Sequence, residues 1–399
     1  MTEIQSTPSA AGVSNAGIPM RAFLAGARRK QPQLLDLAQR LVLAESPSDN
    51  KTAVDACVDL AAAHAKTLEG RIKRHRQREF GDLLELRFGP RKAKNRILLL
   101  GHLDTVWPIG TLKTMPCRIG PDPDGNSRLW GPGTLDMKVG VAMAFTAIEM
   151  LAEAQTGSSE IILLLNSEEE VGSPVSRPIT EKLAQECSAV YVLEPAQGLA
   201  YKTSRKGIGN WRITANGVAA HAGVDFTKGR SAILELTRQI EKVSAWTDLE
   251  RGTTVNVGVI GGGSKTNVVP AEAWAEVDVR IAKRADGPRI EKRFAALKPT
   301  PRSGVTLVVE GGINRPPMER TRGTVKLFRH AQRLAAEMDW RLTEAGTGGA
   351  SDGNFTAALG IATLDGMGAV GEGAHATHES VLIDHLAPRT ALLAAMLAL

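Results

Sequence analysis

LLLNSEEEVGS, residues 163–173, passes from a wholly apolar run into three adjacent carboxylates, Glu168, Glu169 and Glu170. Three like charges side by side cost free energy unless a cation lies among them or the side chains diverge into water. A solvated turn would satisfy the second condition. Two other apolar runs end in the same way, however. Residues 97–100 (ILLL) lead into GHLDT, with His102 and Asp104, and residues 189–193 (AVYVL) lead into Glu194. Runs this apolar suit strands covered on both faces, as in a mostly parallel sheet flanked by helices. The segments between them fit that plan: residues 137–152 carry Val141, Phe145 and Ile148 on one stripe, and residues 177–185 offer a shorter helix. Functional groups in open α/β sheets gather beyond the carboxyl ends of the strands. Three strand ends bearing His, Asp and Glu therefore describe one site.

Composition narrows the function classes. A chain of 399 residues has room for two domains, and 40 glycines with few aromatics suit an α/β protein rich in tight loops. The net charge of +6 is mild and favours a small anionic substrate as readily as nucleic acid. The densest basic run, RIKRHRQR at residues 71–78, has no interleaved aromatics for base stacking and reads as a solvated edge strand. Nucleic acid is not an expected partner. Cys57, Cys117 and Cys187 are scattered and odd in number, which predicts buried thiols in a reducing compartment rather than a disulfide framework. The opening residues, MTEIQSTPSAAGVSNAGIP, lack a charged region leading into an apolar core, and no stretch of 18 apolar residues occurs. The expectation is a cytoplasmic protein, away from membranes, with residues 1–18 frayed.

Two more segments share the chemistry of the strand ends. GPGTLDMKVG holds Asp136 at a Gly-shaped turn before a helix, and GEGAHATHES offers His375 and His378 in a loop too small-residued for core packing. Imidazoles and carboxylates without thiolates suit Zn²⁺ or a similar divalent ion in a catalytic role. A pair of ions about 3.5–4 Å apart is one means of activating water for amide hydrolysis. It needs a bridging carboxylate, terminal ligands for each ion, and one carboxylate left over as general base. Within EEE one glutamate can ligate while its neighbour takes the proton, and the cations offset the repulsion.

With these pieces in view, the sequence resembles the M20 metallopeptidases, and among them the glutamate carboxypeptidases of the carboxypeptidase G type. The resemblance runs from about Leu34 to the C-terminus through GHLDTVWPIGTL, LWGPGTLDMKVG, LLNSEEEVGS, YVLEPA, AAHAGVDFTKGRSAI, GGGSKTNVVPAEAWAEVDVR, INRPPM, GTGGASDGNF and GAHATHES. It implies two Zn²⁺ ions, with Co²⁺ or Mn²⁺ also compatible. His102, Asp136 and Glu194 would hold one ion and Asp136, Glu170 and His375 the other, with Asp136 bridging. Glu169 would be the general base, and Asp104 would orient His102. His221 would reach the active site of a partner subunit and stabilise the developing oxyanion. Arg280, Asn267 and Arg315 would hold the substrate carboxylate or line its pocket, and Gly348, Gly349, Ser351 and Asp352 would line the site from the second half of the catalytic domain. At the YVLEPA position the family's aminopeptidases tend to carry Asp and its carboxypeptidases and N-deacylases Glu, so Glu194 implies a substrate with a free α-carboxylate. Glu168 stands where Asp is common and is expected to support the site or face solvent. His378 is expected to be exposed, with His375 as the ligand.

Between residues 206 and 314 the pattern changes. Strand 207–218, helix 229–246, strands 253–260 and 271–281, helix 287–297 and strand 305–309 follow the ferredoxin-like β-α-β-β-α-β order. This predicts a catalytic domain in two parts, 1–205 and 315–399, closed around an insert at 206–314 that the resemblance makes a lid and homodimerisation domain. The function expected is zinc-dependent cleavage of the amide bond to a C-terminal amino acid with a free carboxylate, releasing glutamate from peptides, N-acyl-glutamates or folate-type substrates. An N-acyl-amino-acid deacylase or dipeptidase is the alternative. A non-catalytic homologue would be expected to lose Glu169 or a ligand, and this chain has them all.

Overall fold

The computed structural model describes residues 20–398, so the expectation of a frayed 1–18 lies outside the described residues. The larger sheet has six strands in the order Arg71–His75, Leu83–Phe88, Glu160–Asn166, Arg96–His102, Ala189–Val192 and Thr363–Leu364. The last four run parallel, and the first two are antiparallel to their neighbours. Register brings His102 beside Asn166 and Leu100 beside Val192, so the central strands end at one level.

The apolar runs are explained by burial on both faces. Leu99, Leu163 and Tyr191 join the core beneath helices Met20–Leu43, Val139–Glu153 and Leu386–Leu397. Their neighbours Leu98, Leu100, Leu164, Val190 and Val192 pack on the opposite face with Leu183 and Ala184 of helix Arg177–Gln185. At about 25 cal/mol per Å² of apolar surface removed from water, two-sided burial fixes these strands more firmly than local propensity can. Helix Val139–Glu153 docks closely on the strand end that carries Glu194, since a Cβ at Gly140 would lie 2.4 Å from Leu193 O.

The basic run forms the edge strand Arg71–His75, with Arg71 ion-paired to Glu160 and Arg74 to Asp82. Cys57, Cys117 and Cys187 are free thiols. Among the described residues no helix is long and apolar enough to cross a membrane.

The second sheet is antiparallel, ordered Thr254–Gly262, Glu272–Ile281, Gly207–Asn216 and Thr306–Arg315. Strand Gly207–Asn216 buries alternate residues, including Trp211, Ile213 and Ala215, against helices Ala232–Ser244 and Asp286–Ala295. Trp211 stacks on Phe294 with ring centroids 4.2 Å apart. The elements follow the β-α-β-β-α-β order, with a short ladder, Ala220–His221 against Val268–Val269, added at one end.

A third sheet, of four short strands, bears on the site, and the antiparallel sheet at Gly207–Asn216 is the smaller of the two main ones. Strand Ser380–Leu382 pairs with both Gly371–Glu372 and Ser127–Trp130. The loop carrying His375 is thereby held beside the turn carrying Asp136.

Candidate metal centre

The three glutamates of the EEE stretch avoid one another by diverging. Strand Glu160–Asn166 ends, and Glu169–Val171 form a single 3₁₀ turn closed by Gly172 at φ 94°. Glu168 turns inward and is fully buried; its Oε1 accepts from the backbone N–H groups of Val175 and Ser176 at 3.2 and 2.6 Å. It anchors the turn before helix Arg177–Gln185, which corrects any reading of it as solvated. Glu169 turns towards Arg315, with Oε1 2.8 Å from Nη1. Glu170 turns towards His375, with Oε2 3.1 Å from Nε2.

Asp136 lies at the centre. It sits in a non-helical kink, φ −116° and ψ 90°, just ahead of helix Val139–Glu153. One carboxylate oxygen lies 3.1 Å from His102 Nε2 and the other 3.4 Å from His375 Nε2. Glu194 Oε1 is 3.8 Å from the same His102 nitrogen. The fold thus brings His102, Asp136, Glu170, Glu194 and His375 together from five segments, three at strand ends and two in connecting turns and loops. His375 occupies the left-handed region at φ 61° and is half exposed, while His378 is exposed beside it.

Asp104 is buried behind His102. Its Oδ1 is 3.4 Å and its backbone carbonyl 3.0 Å from His102 Nδ1, which leaves Nε2 to face Asp136. Its carboxylate also accepts the backbone N–H groups of Glu169 and Glu170, both at 3.2 Å, and so sets the position of the EEE turn.

The charges are shifted in the way a cation-binding site requires. Burial pushes the Glu169 carboxyl well above the usual carboxylate range, although Arg315 opposes it. Glu194 is pushed up to about 7 by burial and by the charge of Asp136. Glu170 is raised by burial despite its hydrogen bond to His375. His375 is held at about 10, chiefly by its hydrogen bonds to Asp136 and Glu170. Burial and mutual repulsion among these carboxylates are costs that a divalent cation would relieve. A second mark of fit is Glu170 Oε1, which is buried and has no hydrogen-bond partner among the described residues. The donor set of imidazole nitrogens and carboxylate oxygens suits Zn²⁺, Co²⁺ or Mn²⁺.

The remaining predicted residues divide into two groups. His221 is exposed on the smaller sheet's added ladder, and its Nδ1 accepts from the N–H groups of Gly223 and Val224, both at 3.1 Å. The neutral ring therefore carries its proton on Nε2, which is free to donate. Asn267 lies beside it, its carbonyl accepting from Ala222 N at 3.0 Å. Arg280 is forked onto Asp278 and reaches across to Gly348 O at 3.4 Å, and Gly348 and Gly349 are exposed there.

Arg315 and Ser351 differ from expectation. Arg315 is buried and its guanidinium is occupied by Asp352, Glu169 and Ser173, so it faces the EEE turn rather than an open pocket. Asp352 is itself 4% exposed, engaged by Asn166 and Ser173 as well as Arg315. Ser351 is fully buried, with its hydroxyl donating to Asp365 at 2.6 Å, and has no face left for a substrate.

Arg205 was not singled out by sequence. It is buried, forked onto Asp365, and lies 3.2 Å from the second oxygen of Glu194. It thus fixes the carboxylate whose other oxygen faces His102. Nothing local in SRKG announces this role, because the partners lie elsewhere in the chain.

An open α/β sheet whose strand ends gather two histidines and several buried carboxylates around one central aspartate is the build of a metal-dependent hydrolase. Comparison with known proteins agrees. The model of Peptidase family M20/M25/M40 matches residues 98–399, and the chain belongs to that family of metallopeptidases. Carboxypeptidase G2 of a Pseudomonas species is 27% identical over 403 residues, spanning 99% of this chain and 95% of that protein. Among solved structures, aminopeptidase PepT of Bacillus cereus superposes with a TM-score of 0.77 at 22% identity, covering 92% of this chain and 98% of that chain. YXEP of Bacillus subtilis, described as a dinuclear metal-binding peptidase of the M20 family, gives a TM-score of 0.67 at 13% identity, covering 93% and 98%. At these identities the two structures speak for the fold.

Proposed function

We propose that the chain is a two-metal carboxypeptidase-type amidohydrolase, releasing a C-terminal amino acid, glutamate in the first instance, from peptides, N-acyl-glutamates or folate-type substrates. The observation that carries this reading is Asp136, which offers one oxygen toward His102 and the other toward His375. His102, Asp136 and Glu194 would hold one Zn²⁺, and Asp136, Glu170 and His375 the other. When bound, the ions supply Lewis acidity to the scissile carbonyl and lower the pKa of the attacking water.

The chain's own groups do the rest. Glu169, kept basic by burial and steadied by Arg315, takes the proton from the attacking water and passes it to the leaving amine. Arg280, beside Gly348, receives the substrate's α-carboxylate through its planar fork in place of Asp278. His221 of the partner subunit donates Nε2–H to the developing oxyanion, in a homodimer formed through the lid at residues 206–314. Glu194, rather than Asp, and the similarity to carboxypeptidase G2 favour the carboxypeptidase over an N-acyl-amino-acid deacylase or dipeptidase. The scattered free thiols favour a reducing, cytoplasmic setting.

The test is amino-acid release by Zn²⁺-loaded protein from a panel of N-acyl amino acids, dipeptides and folate. Preferential release of glutamate from acylated glutamate is expected. Turnover confined to substrates with a free amine and a blocked carboxylate would overturn the reading.

A further inference from the structure

Glu379, four residues beyond His375, has a carboxylate that is 1% exposed and accepts four N–H groups. Oε1 accepts from Leu135 N at 2.9 Å and Asp136 N at 3.0 Å. Oε2 accepts from Gly133 N and from Trp107 Nε1, both at 2.9 Å. Its backbone carbonyl takes a fifth, from Gly131 N at 3.2 Å. A carboxylate has about four lone-pair sites, and all are used here. The donors come from two separate segments. Three belong to the turn that presents Asp136, and the fourth belongs to the loop that follows His102 and Asp104. Glu379 itself ends the loop that presents His375. A purely space-filling residue would not need a charge at a site this dry, nor donors converging from segments some 240–270 positions away.

We infer that Glu379 is a positioning residue for the metal centre: its carboxylate joins the His102, Asp136 and His375 segments so that their ligands are held in register for the two ions. This rests on the metal reading above. It explains how His375, exposed and on a loop, keeps its aim at Asp136. It also explains why the turn at Asp136, where Asp136 and Met137 leave helical φ/ψ, stays in place. Glu170 and Glu194 have ties of their own, to Asp104 and Arg205 respectively.

The lone-pair arithmetic makes the inference specific. An isosteric Gln keeps one oxygen and replaces the other with an NH₂ donor. Whichever way the amide turns, two N–H groups then face a donor instead of an acceptor. Glu379→Gln should therefore be damaging despite its matched shape.

The experiment is competition for Zn²⁺ between the full chain and a chromogenic chelator. Glu379→Gln should weaken binding about 10- to 100-fold, the range for losing a group that orients metal ligands. Trp107→Phe, which deletes one of the four donors, should weaken it less and in the same direction. Val58→Ala, buried in helix Lys51–Thr67 and not among the residues assigned to the site, serves as a control for general loss of thermal stability and should bind Zn²⁺ as the wild type does. Wild-type affinity in Glu379→Gln, or an equal loss in Val58→Ala, would overturn the inference. If Glu379→Gln does not fold, unchanged affinity in Trp107→Phe overturns it. A wild-type chain that binds no divalent ion overturns the metal reading, and this inference with it.

Discussion

At the strand ends of the larger sheet, the carboxylates are buried or nearly so and each has an assigned partner. On the smaller sheet, His221 and Asn267 are exposed, and Arg280 is held only by Asp278 and a long contact to Gly348. The first region is finished within one chain: Asp104 fixes His102, Arg205 fixes Glu194, and Arg315 fixes Glu169. The second presents its polar groups at the surface, with Arg280 engaged by Asp278. On the function proposed above, chemistry belongs to the larger sheet, where low dielectric strengthens every contact, and selectivity to the exposed groups of the other.

The largest expected effect lies in the finished region. Glu169→Gln removes the base but no proposed ligand, so kcat should fall by on the order of 10²–10⁴ while metal content stays at the wild-type level. Normal kcat with normal metal content would remove Glu169 from the role. A smaller effect is expected in the open region. Arg280→Ala should raise KM about 10- to 100-fold for substrates with a free α-carboxylate, the loss of one charge-assisted pair, and leave kcat within a few-fold. An equal rise for the corresponding carboxamide substrate would show that Arg280 does not read the carboxylate. The two variants together ask whether chemistry and recognition divide between the sheets.

The same contrast governs what could be read from sequence. The strands that lead into the proposed ligands were legible because two-sided burial writes unbroken apolar runs that stop where the chain surfaces. The smaller sheet was legible for the opposite reason, since one-sided burial writes alternation such as that around Trp211, Ile213 and Ala215. Helix Val139–Glu153 starts two residues later than its apolar stripe suggested, because Asp136 and Met137 are drawn out of helical geometry. Arg205 and Glu379 were not legible as supports. Their partners lie far off in sequence, and no period or local motif records a hydrogen bond made across the fold. Arg315 and Ser351 lie deeper than their motif positions suggested for a related reason: motif position gives neighbourhood, whereas burial decides which partners a side chain meets.

The central claim is that one aspartate joins two metal ions at the strand ends. It is tested most directly by titrating metal-free protein with Zn²⁺ and measuring bound metal by elemental analysis, for the wild type and for Asp136→Ala. The expected result is two ions per wild-type chain, both weakened together in the variant because both share that carboxylate. A wild-type chain that saturates with one ion, or a variant that retains one ion stoichiometrically, would contradict it.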